Sequence, residues 1–353
     1  MMTPDPPAAE SPLKRWGTLL LKVGVSALAL YFTWRLLADM DWADLAARMS
    51  EASWRFLIPG ILLLLARYVA WDWRFRLAAR QGVGQSPHPV LGFFVLMASA
   101  ALNLITPSAR LIGGLMRARY FARSTSRPFG MLYGVVLYDQ IAHHTVMTTC
   151  TWIAVVATAF IMGRHALGTG ALAALVAVAI GLAFWLHRGS FESHPLVRFV
   201  ARGAGRAEGR MQRLYAHGHE AVGIFVRLLA QAPLRWKAGL IGLLYAVLNA
   251  GAQWLIFLAL GREIDPLVVF AGVSLGTAAG TLTGTPGGLG TTEAAMVASF
   301  GLMGIDRVDA AAGTLLCRGL HYAVVLAVGL PALALLEMRL APETPETPEI
   351  PEP

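Results

Sequence analysis

The sequence predicts an all-α integral membrane protein with about six transmembrane helices and two re-entrant helical hairpins, arranged as an inverted repeat. Three observations lead to this prediction. Of the 353 residues, 56% are hydrophobic and 14% are charged, and the mean hydropathy is +0.57. That is more apolar than a soluble enzyme with a single anchor. Apolar segments long enough to cross a bilayer recur along the chain, and two shorter ones end at Thr106-Pro107 and Thr285-Pro286.

The first part of the chain alternates charged ends with apolar segments. Residues 1–12 are Pro-rich and predicted to be disordered. Residues 17–37 form an uncleaved membrane anchor, because the hydrophobic stretch continues past its signal-peptidase-like site. Residues 38–55 hold four acids and fit an amphipathic segment outside the membrane. A second span over 56–75 is closed on the inside by three basic residues, Arg74, Arg76 and Arg80.

The first predicted hairpin follows from the length and charge of residues 90–106. This apolar segment is shorter than the roughly 20 residues that a span requires. A cluster of arginines comes directly after it: Arg110, Arg117, Arg119, Arg123 and Arg127. If the segment crossed the bilayer, this cluster would lie outside, against the positive-inside rule. A hairpin that enters from the cytoplasm and returns to it resolves the conflict.

The rest of the chain is predicted to hold four more spans and a second hairpin. Between the spans, residues 188–237 carry nine Arg or Lys against three Glu. This charge indicates a cytoplasmic loop beside anionic lipid rather than a nucleic-acid site, and its helical spacing predicts an interfacial amphipathic helix. The predicted elements are spans at 130–160, 168–187, 238–260 and 310–336, a hairpin over 267–304 that enters from the outside, and a disordered Pro/Glu tail at 341–353. Both termini are expected in the cytoplasm of a bacterium whose inner (plasma) membrane holds the protein.

The glycine-rich segment 281–296 organises the second hairpin. Pro286 and the glycines at 287, 288 and 290 favour an irregular backbone, which survives at membrane depth only inside protein or beside water. A helix is predicted to start at Thr291 or Thr292 with Glu293 in its first turn, so that free amides suit a phosphate or carboxylate. The alternative is an ordinary turn in which Glu293 is a first-turn charge. No strand precedes the segment, and the P-loop Lys is missing, which excludes both nucleotide fingerprints.

The two halves of one domain, 13–340, repeat the same order of elements in opposite orientations. The halves span about 13–160 and 168–340, and each has a hairpin broken at Thr-Pro. Pro107 and Pro286 are 179 positions apart, as are Asp139 and Arg318. Inverted halves with broken helices that meet near mid-membrane are typical of alternating-access transporters.

Ionisable residues inside the predicted helices are candidate site residues. An arginine at mid-helix costs about 2.5 to 3.5 kcal/mol, so Arg318 requires a partner such as Glu293, Asp139 or a lipid phosphate. A buried Arg–Glu pair that only braces the fold is the alternative.

Asp139 and His143 share a helix face, where they can pair in a polar cavity and couple to protons. Arg110 and Arg117 are either positive-inside charges or clamps on a headgroup. The chain has only two cysteines, which does not predict a disulfide framework. Its potential metal ligands are too few in any one cluster to predict a metal site.

Two motifs and one helix of this chain resemble the flippase-like transmembrane domain of lysylphosphatidylglycerol synthases and its stand-alone relatives. The motifs are Pro-Gly-Gly-Leu-Gly-Thr-Thr-Glu at 286–293 and residues 107–117, and the helix carries Arg318. The resemblance covers nearly the whole chain between the tails and implies movement of lipids between leaflets. The residues it carries over are Pro107, Arg110, Gly113, Arg117, Pro286, Gly287, Gly288, Gly290, Glu293 and Arg318; together with Asp139, His143, Thr291 and Thr292 they form the predicted substrate-binding set.

The chain departs from the family pattern in its first half. The family usually has Glu where this chain has Gly114, and Glu-Arg where it has Asp139-Gln140. These differences indicate a substrate other than the lysyl lipid and a divergent branch, for which a hopanoid pathway is one candidate. The soluble aminoacyl-transferase domain of the full synthases is expected to be absent.

The leading functional hypothesis is a lipid flippase without nucleotide hydrolysis, whose two hairpin tips meet at a shared polar pocket. An intramembrane lipid-modifying enzyme with Asp139 and His143 as acid and base is the second hypothesis. An accessory subunit of an aminoacyl-lipid, hopanoid or glycolipid pathway is the third. The leading hypothesis involves no catalytic residue, metal or cofactor. Its partners are membrane lipids, with a second copy of the chain and a lipid-synthesis enzyme as further candidates.

Overall fold

The computed structural model describes residues 42–106, 111–164, 168–170, 172, 176, 209–283 and 286–340. This part of the chain is helical and contains no strand, which confirms the all-α membrane class. Several predicted features lie outside it: the two disordered ends, the span at 17–37, most of the span at 168–187 and the first part of the basic loop. Pro107 and Arg110 of the predicted site also lie outside the described residues.

Short turns and broken segments connect the helices. In chain order the described helices are α1 (Trp42–Ser50), α2 (Trp54–Val83), α3 (Pro89–Ile105), α4 (Leu111–Thr125), α5 (Phe129–Ile161), α6 (Gly209–Ala230), α7 (Ala232–Ala259), α8 (Pro266–Thr283), α9 (Thr291–Leu302) and α10 (Arg307–Leu340). A 3-10 turn at Pro286–Gly288 precedes α9. Among the described residues, α2, α5, α7 and α10 are long and apolar enough to cross a membrane, whereas α3 and α8 are shorter apolar helices. The predicted spans at 130–160, 238–260 and 310–336 are therefore confirmed, and the span at 56–75 is confirmed except for its end.

The end of α2 is where the predicted boundary is wrong. The sequence places Arg74 among the basic residues that close the span, but α2 continues to Val83 and the Arg74 side chain is 0% exposed. Carboxylates compensate the charges inside the protein. Asp139 binds Arg74, and Asp72 binds Arg76 at 2.6 Å. A charged residue ends a span only when no partner is buried with it.

The long helices define two ends of the bundle. The Ser53 amide at the start of α2 donates to the carbonyl of Ala259 at the end of α7, at 2.8 Å. We call this the Ala259 end and the opposite one the Val83 end. The helix α10 begins at the Ala259 end, because Asp309 in its first turn binds Arg262 at 2.9 Å and also binds Arg48 of α1.

The short helix α1 lies on the Ala259 end as predicted for an amphipathic segment between spans. Its Leu45 is buried in the core that contains the ends of α7 and α10. Arg48 binds Asp44 at 2.9 Å, and this hydrogen bond lowers the pKa of the Asp44 carboxyl. Asp44 lies on α1 itself, so the contact from Arg48 to Asp309 of α10 is the one that anchors α1 to the bundle.

The two hairpins enter the bundle from opposite ends. The helix α3 starts a few residues after α2, at the Val83 end, and pairs with α4 through a hydrogen bond of 2.7 Å from Ser99 to the Gly113 carbonyl. The helix α8 starts just after α7, at the Ala259 end, and pairs with α9. Their tips meet inside the bundle, since a Cβ at Gly287 would lie 3.1 Å from the Leu104 carbonyl oxygen. The predicted pair of opposed hairpins is confirmed.

The described part of the basic loop forms α6, and its apolar face packs against protein rather than only against lipid. Ala221, Ile224 and Leu228 of α6 are buried. They contact the start of α5 and the end of α2, where Gly134 and Gly82 leave room for them. The prediction of a surface strap on lipid is therefore corrected for this segment: an amphipathic pattern does not distinguish a lipid surface from a neighbouring helix.

Candidate functional site

The tip of the second hairpin is built from glycines in left-handed backbone. Gly287, Gly288 and Gly290 have φ of 57°, 73° and 81°, a region that other residues adopt only at a cost. This geometry ends α8, forms the 3-10 turn that begins at Pro286, and lets α9 begin at Thr291. The prediction of a helix start at Thr291 or Thr292 is confirmed. Both threonines are buried, and Thr291 donates to the Gly288 carbonyl at 3.2 Å.

Arg318 fastens this tip to α10. Its Nε donates to Glu293 Oε1 at 2.7 Å, and its Nη2 donates to the Gly287 carbonyl at 2.6 Å and to the Tyr322 hydroxyl. The Tyr322 hydroxyl in turn donates to the same carbonyl at 3.1 Å. Of the three partners predicted for Arg318, Glu293 is therefore the observed one. The second Glu293 oxygen, Oε2, is buried without a hydrogen-bond partner among the described residues.

A second ionic centre surrounds Asp139 of α5. One carboxylate oxygen accepts from Arg74 Nε at 2.8 Å, and the other accepts from Arg117 Nη1 at 2.8 Å and Trp71 Nε1 at 2.7 Å. The Asp139 side chain is 0% exposed. Three elements, α2, α4 and α5, thus meet on one carboxylate. Sequence analysis placed Arg117 and Asp139 in the site but missed Arg74 and Trp71.

This first-half centre holds more cationic groups than its carboxylate can satisfy. Arg74 Nη1 and the Nε and Nη2 atoms of Arg117 are buried without a hydrogen-bond partner among the described residues. Arg117 also lies over the Phe75 ring, with 4.0 Å from its Cζ to the ring centroid. The other nearby acid, Asp72, pairs with Arg76. An unsatisfied buried donor costs about 1 to 3 kcal/mol, so the centre has a strong demand for additional acceptors.

Trp71 connects Asp139 to His143. The indole donates to Asp139 through its ring nitrogen and lies flat on the His143 ring, with centroids 4.5 Å apart and planes at 3°. The Tyr245 ring of α7 packs edge-on against the His143 ring, and the two ring centroids are 4.8 Å apart. The predicted pair of Asp139 and His143 is thus joined through an aromatic stack, and the proton coupling expected from it stays a prediction.

Arg67 is a functional candidate that sequence analysis did not single out. It is buried in the middle of α2, donates to Asn249 Oδ1 of α7, and has its Nη2 2.7 Å from His321 Nδ1 of α10. Its Cζ lies 5.9 Å from the Tyr245 ring centroid. An arginine inside a predicted span is itself a signal of a polar site, and this signal marks Arg67. Polar and aromatic contacts therefore run from Asp139 through Arg67 to the Arg318 helix.

Two neighbouring glycines explain how the first hairpin packs here. Gly113 donates to Asn103 Oδ1 at 3.0 Å and lies so close to α3 that a side chain would collide with Asn103 and Ser99. At Gly114 a Cβ would lie 2.8 Å from Gln140 Nε2. The two departures from the family pattern, Gly114 and Gln140, therefore face each other. The amide side chain occupies the space that the glycine leaves.

Within the described ranges, no group of three or more His, Cys, Asp and Glu side chains is placed to hold a metal ion. Cys317 is buried in α10 and Cys150 is half-buried in α5, and both are free thiols. The chemistry available at the described centres is therefore ionic and hydrogen-bonding recognition by guanidinium, carboxylate and amide groups.

Comparisons with known proteins agree with this architecture. The model of the lysylphosphatidylglycerol synthase TM region matches residues 19–329. The chain is also similar to a UPF0104 membrane protein of Methanothermobacter thermautotrophicus, with 25% identity over 345 residues. That alignment covers 91% of this chain and 96% of the relative.

Proposed function

The chain belongs to the lysylphosphatidylglycerol synthase transmembrane-region family, and from this premise we propose that it is a lipid flippase. It moves a lipid with a polar headgroup between the two leaflets and hydrolyses no ATP. It is a multi-pass membrane protein, which supplies the apolar surroundings such a movement requires.

The meeting of the two hairpin tips carries this proposal. Gly287 of one hairpin approaches the Leu104 carbonyl of the other inside a bundle of long apolar helices. Broken helices that enter from opposite ends and meet in the middle are the arrangement in which one half can rock against the other. Such rocking opens the central groups first to one leaflet and then to the other.

The two ionic centres have different parts in this proposal. Arg318 holds the second hairpin tip through Glu293 and the Gly287 carbonyl, so it acts as a positioning residue. The headgroup is bound by side chains with hydrogen-bonding capacity left over, which include Arg74, Arg117 and the Oε2 atom of Glu293. Pro107 and Arg110 stay in the predicted substrate-binding set.

The enzyme hypothesis has weaker support. A general base must be free to take a proton from the substrate, but both oxygens of Asp139 accept hydrogen bonds from cationic or indole donors. We therefore propose transport rather than catalysis, with no cofactor.

The charge distribution supports an orientation. The Val83 end carries exposed basic residues on several elements: Arg80, Arg119, Arg123, Arg127, Arg227, Arg235 and Lys237. The Ala259 end carries the exposed acids Glu51, Glu263, Asp265 and Asp306. By the positive-inside rule the Val83 end faces the cytoplasm, with the protein in a bacterial plasma membrane and both termini inside. Membrane lipids are the proposed partners, with a second copy of the chain and a lipid-synthesis enzyme as further candidates.

Lipid translocation in proteoliposomes tests the function. The purified full chain is reconstituted with a trace of head-labelled fluorescent phosphatidylglycerol, and dithionite bleaches the label in the outer leaflet. We expect bleaching to proceed well beyond the outer half, at a rate that scales with protein per vesicle. Protein-free vesicles and vesicles with an unrelated helical membrane protein are the controls. Bleaching that stops at the outer half in all three preparations would contradict the proposal.

A further inference from the structure

The charges around Asp139 do not balance. Arg74 and Arg117 share this one carboxylate, and the other acid close to them, Asp72, is paired with Arg76. Two turns before Arg74 in α2, Arg67 forms hydrogen bonds with the neutral amide of Asn249 and with the His321 ring. The centre therefore holds a buried excess of positive charge, which is costly unless an anion joins it.

The two guanidinium groups that carry unused donors bind the same carboxylate. Arg74 and Arg117 each approach an oxygen of Asp139 to 2.8 Å, so their guanidinium groups lie on either side of one carboxylate. Three of their nitrogen atoms, Arg74 Nη1 and Arg117 Nε and Nη2, are buried and have no hydrogen-bond partner among the described residues. Both side chains are more than nine-tenths buried, and they come from two helices, α2 and α4. Guanidinium forks match the oxygens of a phosphate, which offers more acceptor positions than the carboxylate supplies.

We propose that Arg74, Arg117 and Asp139 form the binding site for the phosphate group of a lipid headgroup, and that the transported lipid carries a net negative charge. This inference rests on the proposed function for the identity of the ligand as a transported lipid. Asp139 orients the two guanidiniums when the site is empty, and the phosphate takes the free N–H groups when the site is loaded.

The surroundings of the site select against a cationic headgroup. Gly114 and Gln140 contribute no carboxylate beside the centre, and an amide faces the glycine. An additional ammonium group on the lipid would be repelled by the excess positive charge of Arg74 and Arg117, which share one carboxylate. A lipid whose phosphate charge is uncompensated, such as phosphatidylglycerol, fits the site better than a zwitterionic or aminoacylated lipid.

Loading the site requires the first hairpin to move. In this structure Phe75 of α2 stacks on Phe121 of α4 with centroids 4.5 Å apart, and the Arg117 guanidinium is closed in over the Phe75 ring. Separation of α4 from α2 uncovers Arg117 and Arg74 together. The transport cycle requires the same motion, because it exposes the centre to one leaflet.

Ligand binding to the full chain in detergent tests the site. Short-chain dioctanoyl phosphatidylglycerol, dioctanoyl phosphatidylcholine and inorganic phosphate are titrated separately, and binding is followed by native mass spectrometry and by the shift of the unfolding temperature. We expect phosphatidylglycerol to bind at least about tenfold more tightly than phosphatidylcholine, with phosphate in between. Binding of phosphate as strong as that of phosphatidylglycerol would mean a free-anion site and would overturn the lipid assignment.

Three variants separate an anion site from an ion pair that only supports the fold. Arg117→Gln removes donors and is expected to weaken phosphatidylglycerol binding about tenfold or more. Arg119→Gln removes an exposed charge two positions along α4 and is expected to leave binding unchanged. Asp139→Asn removes the competing negative charge and is expected to tighten the binding of phosphatidylglycerol. If Arg117→Gln does not fold, Arg117→Lys, which keeps the charge but loses the fork, is expected to show the same loss.

Equal affinity of the wild-type chain for the two phospholipids would overturn the proposal, as would a loss of binding in Asp139→Asn equal to that in Arg117→Gln. The flipping assay is independent of these results. A chain that binds anionic lipid selectively but does not flip it refutes the proposed function alone. A chain that flips lipids with no preference for negative charge refutes this site alone.

Discussion

The two ionic centres fall at corresponding positions of the predicted sequence repeat but differ in their balance of charge. Asp139 and Arg318 are 179 positions apart, and the same offset pairs Gly114 with Glu293. In the second half one arginine meets one glutamate and a backbone carbonyl. In the first half two arginines share one aspartate, and three of their nitrogen atoms have no hydrogen-bond partner among the described residues. The predicted repeat therefore carries a charge-balanced pair in its second half, with one Glu293 oxygen without a hydrogen-bond partner among the described residues, and a centre with surplus positive charge in its first half.

This difference indicates which centre mainly stabilises the fold and which one mainly recognises a ligand. A buried ion pair whose hydrogen bonds are made by the protein is strongly destabilised when one partner is removed. A buried centre with surplus charge gains free energy from an external counter-ion instead. The comparison yields four predictions, in order of the expected loss of stability.

The largest effect is expected from Arg318→Ala. It leaves Glu293 as an uncompensated buried charge and frees the Gly287 carbonyl, so the free energy of unfolding should fall by about 3 to 5 kcal/mol. Chemical denaturation in detergent measures this loss, with Arg119→Ala as an exposed control. The double change Arg318→Gln with Glu293→Gln should cost less than Arg318→Ala, because no net charge stays buried. If the stability lost in the double variant equalled the sum of the losses in Arg318→Gln and Glu293→Gln alone, the two side chains would not act as a pair.

Asp139→Asn is expected to have the next largest effect, about 2 to 3 kcal/mol. Asn has one acceptor oxygen where Asp has two, so one of the hydrogen bonds from Arg74 and Arg117 becomes neutral and the other is lost. In contrast to Arg318→Ala, this loss should be recovered when dioctanoyl phosphatidylglycerol is added, since the lipid phosphate replaces the missing negative charge. Unfolding temperatures with and without the lipid, for both variants, measure the contrast. Equal recovery in the two variants would remove the distinction between the centres.

Gly287→Ala tests the backbone of the second tip. The left-handed φ of 57° and the nearby Leu104 carbonyl predict a loss of about 1 to 2 kcal/mol. Gly301→Ala in α9 is the matched control, because a Cβ there meets no atom within 4 Å and an alanine favours the helix. Thermal unfolding of the two variants side by side gives the comparison. If Gly287→Ala unfolded at the same temperature as the wild-type chain, the tip would not require a glycine at this position.

The smallest effect on stability, about 1 kcal/mol or less, is expected from Gly114→Glu. The new Cβ meets the end of the flexible Gln140 side chain, which can move aside. The added carboxylate gives the first half the residue that the second half has at Glu293. It should lower the affinity for phosphatidylglycerol about tenfold without a comparable change for phosphatidylcholine, as titration by native mass spectrometry would show. An unchanged preference would separate Gly114 from headgroup selection.

The site was only partly predictable from the sequence. The motif at 286–293 and the cost of a mid-helix charge pointed to Glu293 and Arg318, and the structure joins them at 2.7 Å. Arg74 was missed because a basic residue near the end of an apolar segment has the same pattern whether it faces the cytoplasm or a buried acid. The partner that decides between these cases, Asp139, is 65 positions away in the chain.

Hydropathy and backbone chemistry settled the class, the long helices and the hairpins from the sequence alone, because apolar length and the effects of proline and glycine are local properties. Which charges are buried together was decided only by the tertiary structure. Ion pairing depends on distances between helices that are far apart in the chain, and no local pattern encodes them. For the same reason the surplus of unused donors around Asp139 became visible only once α2, α4 and α5 were packed against one another.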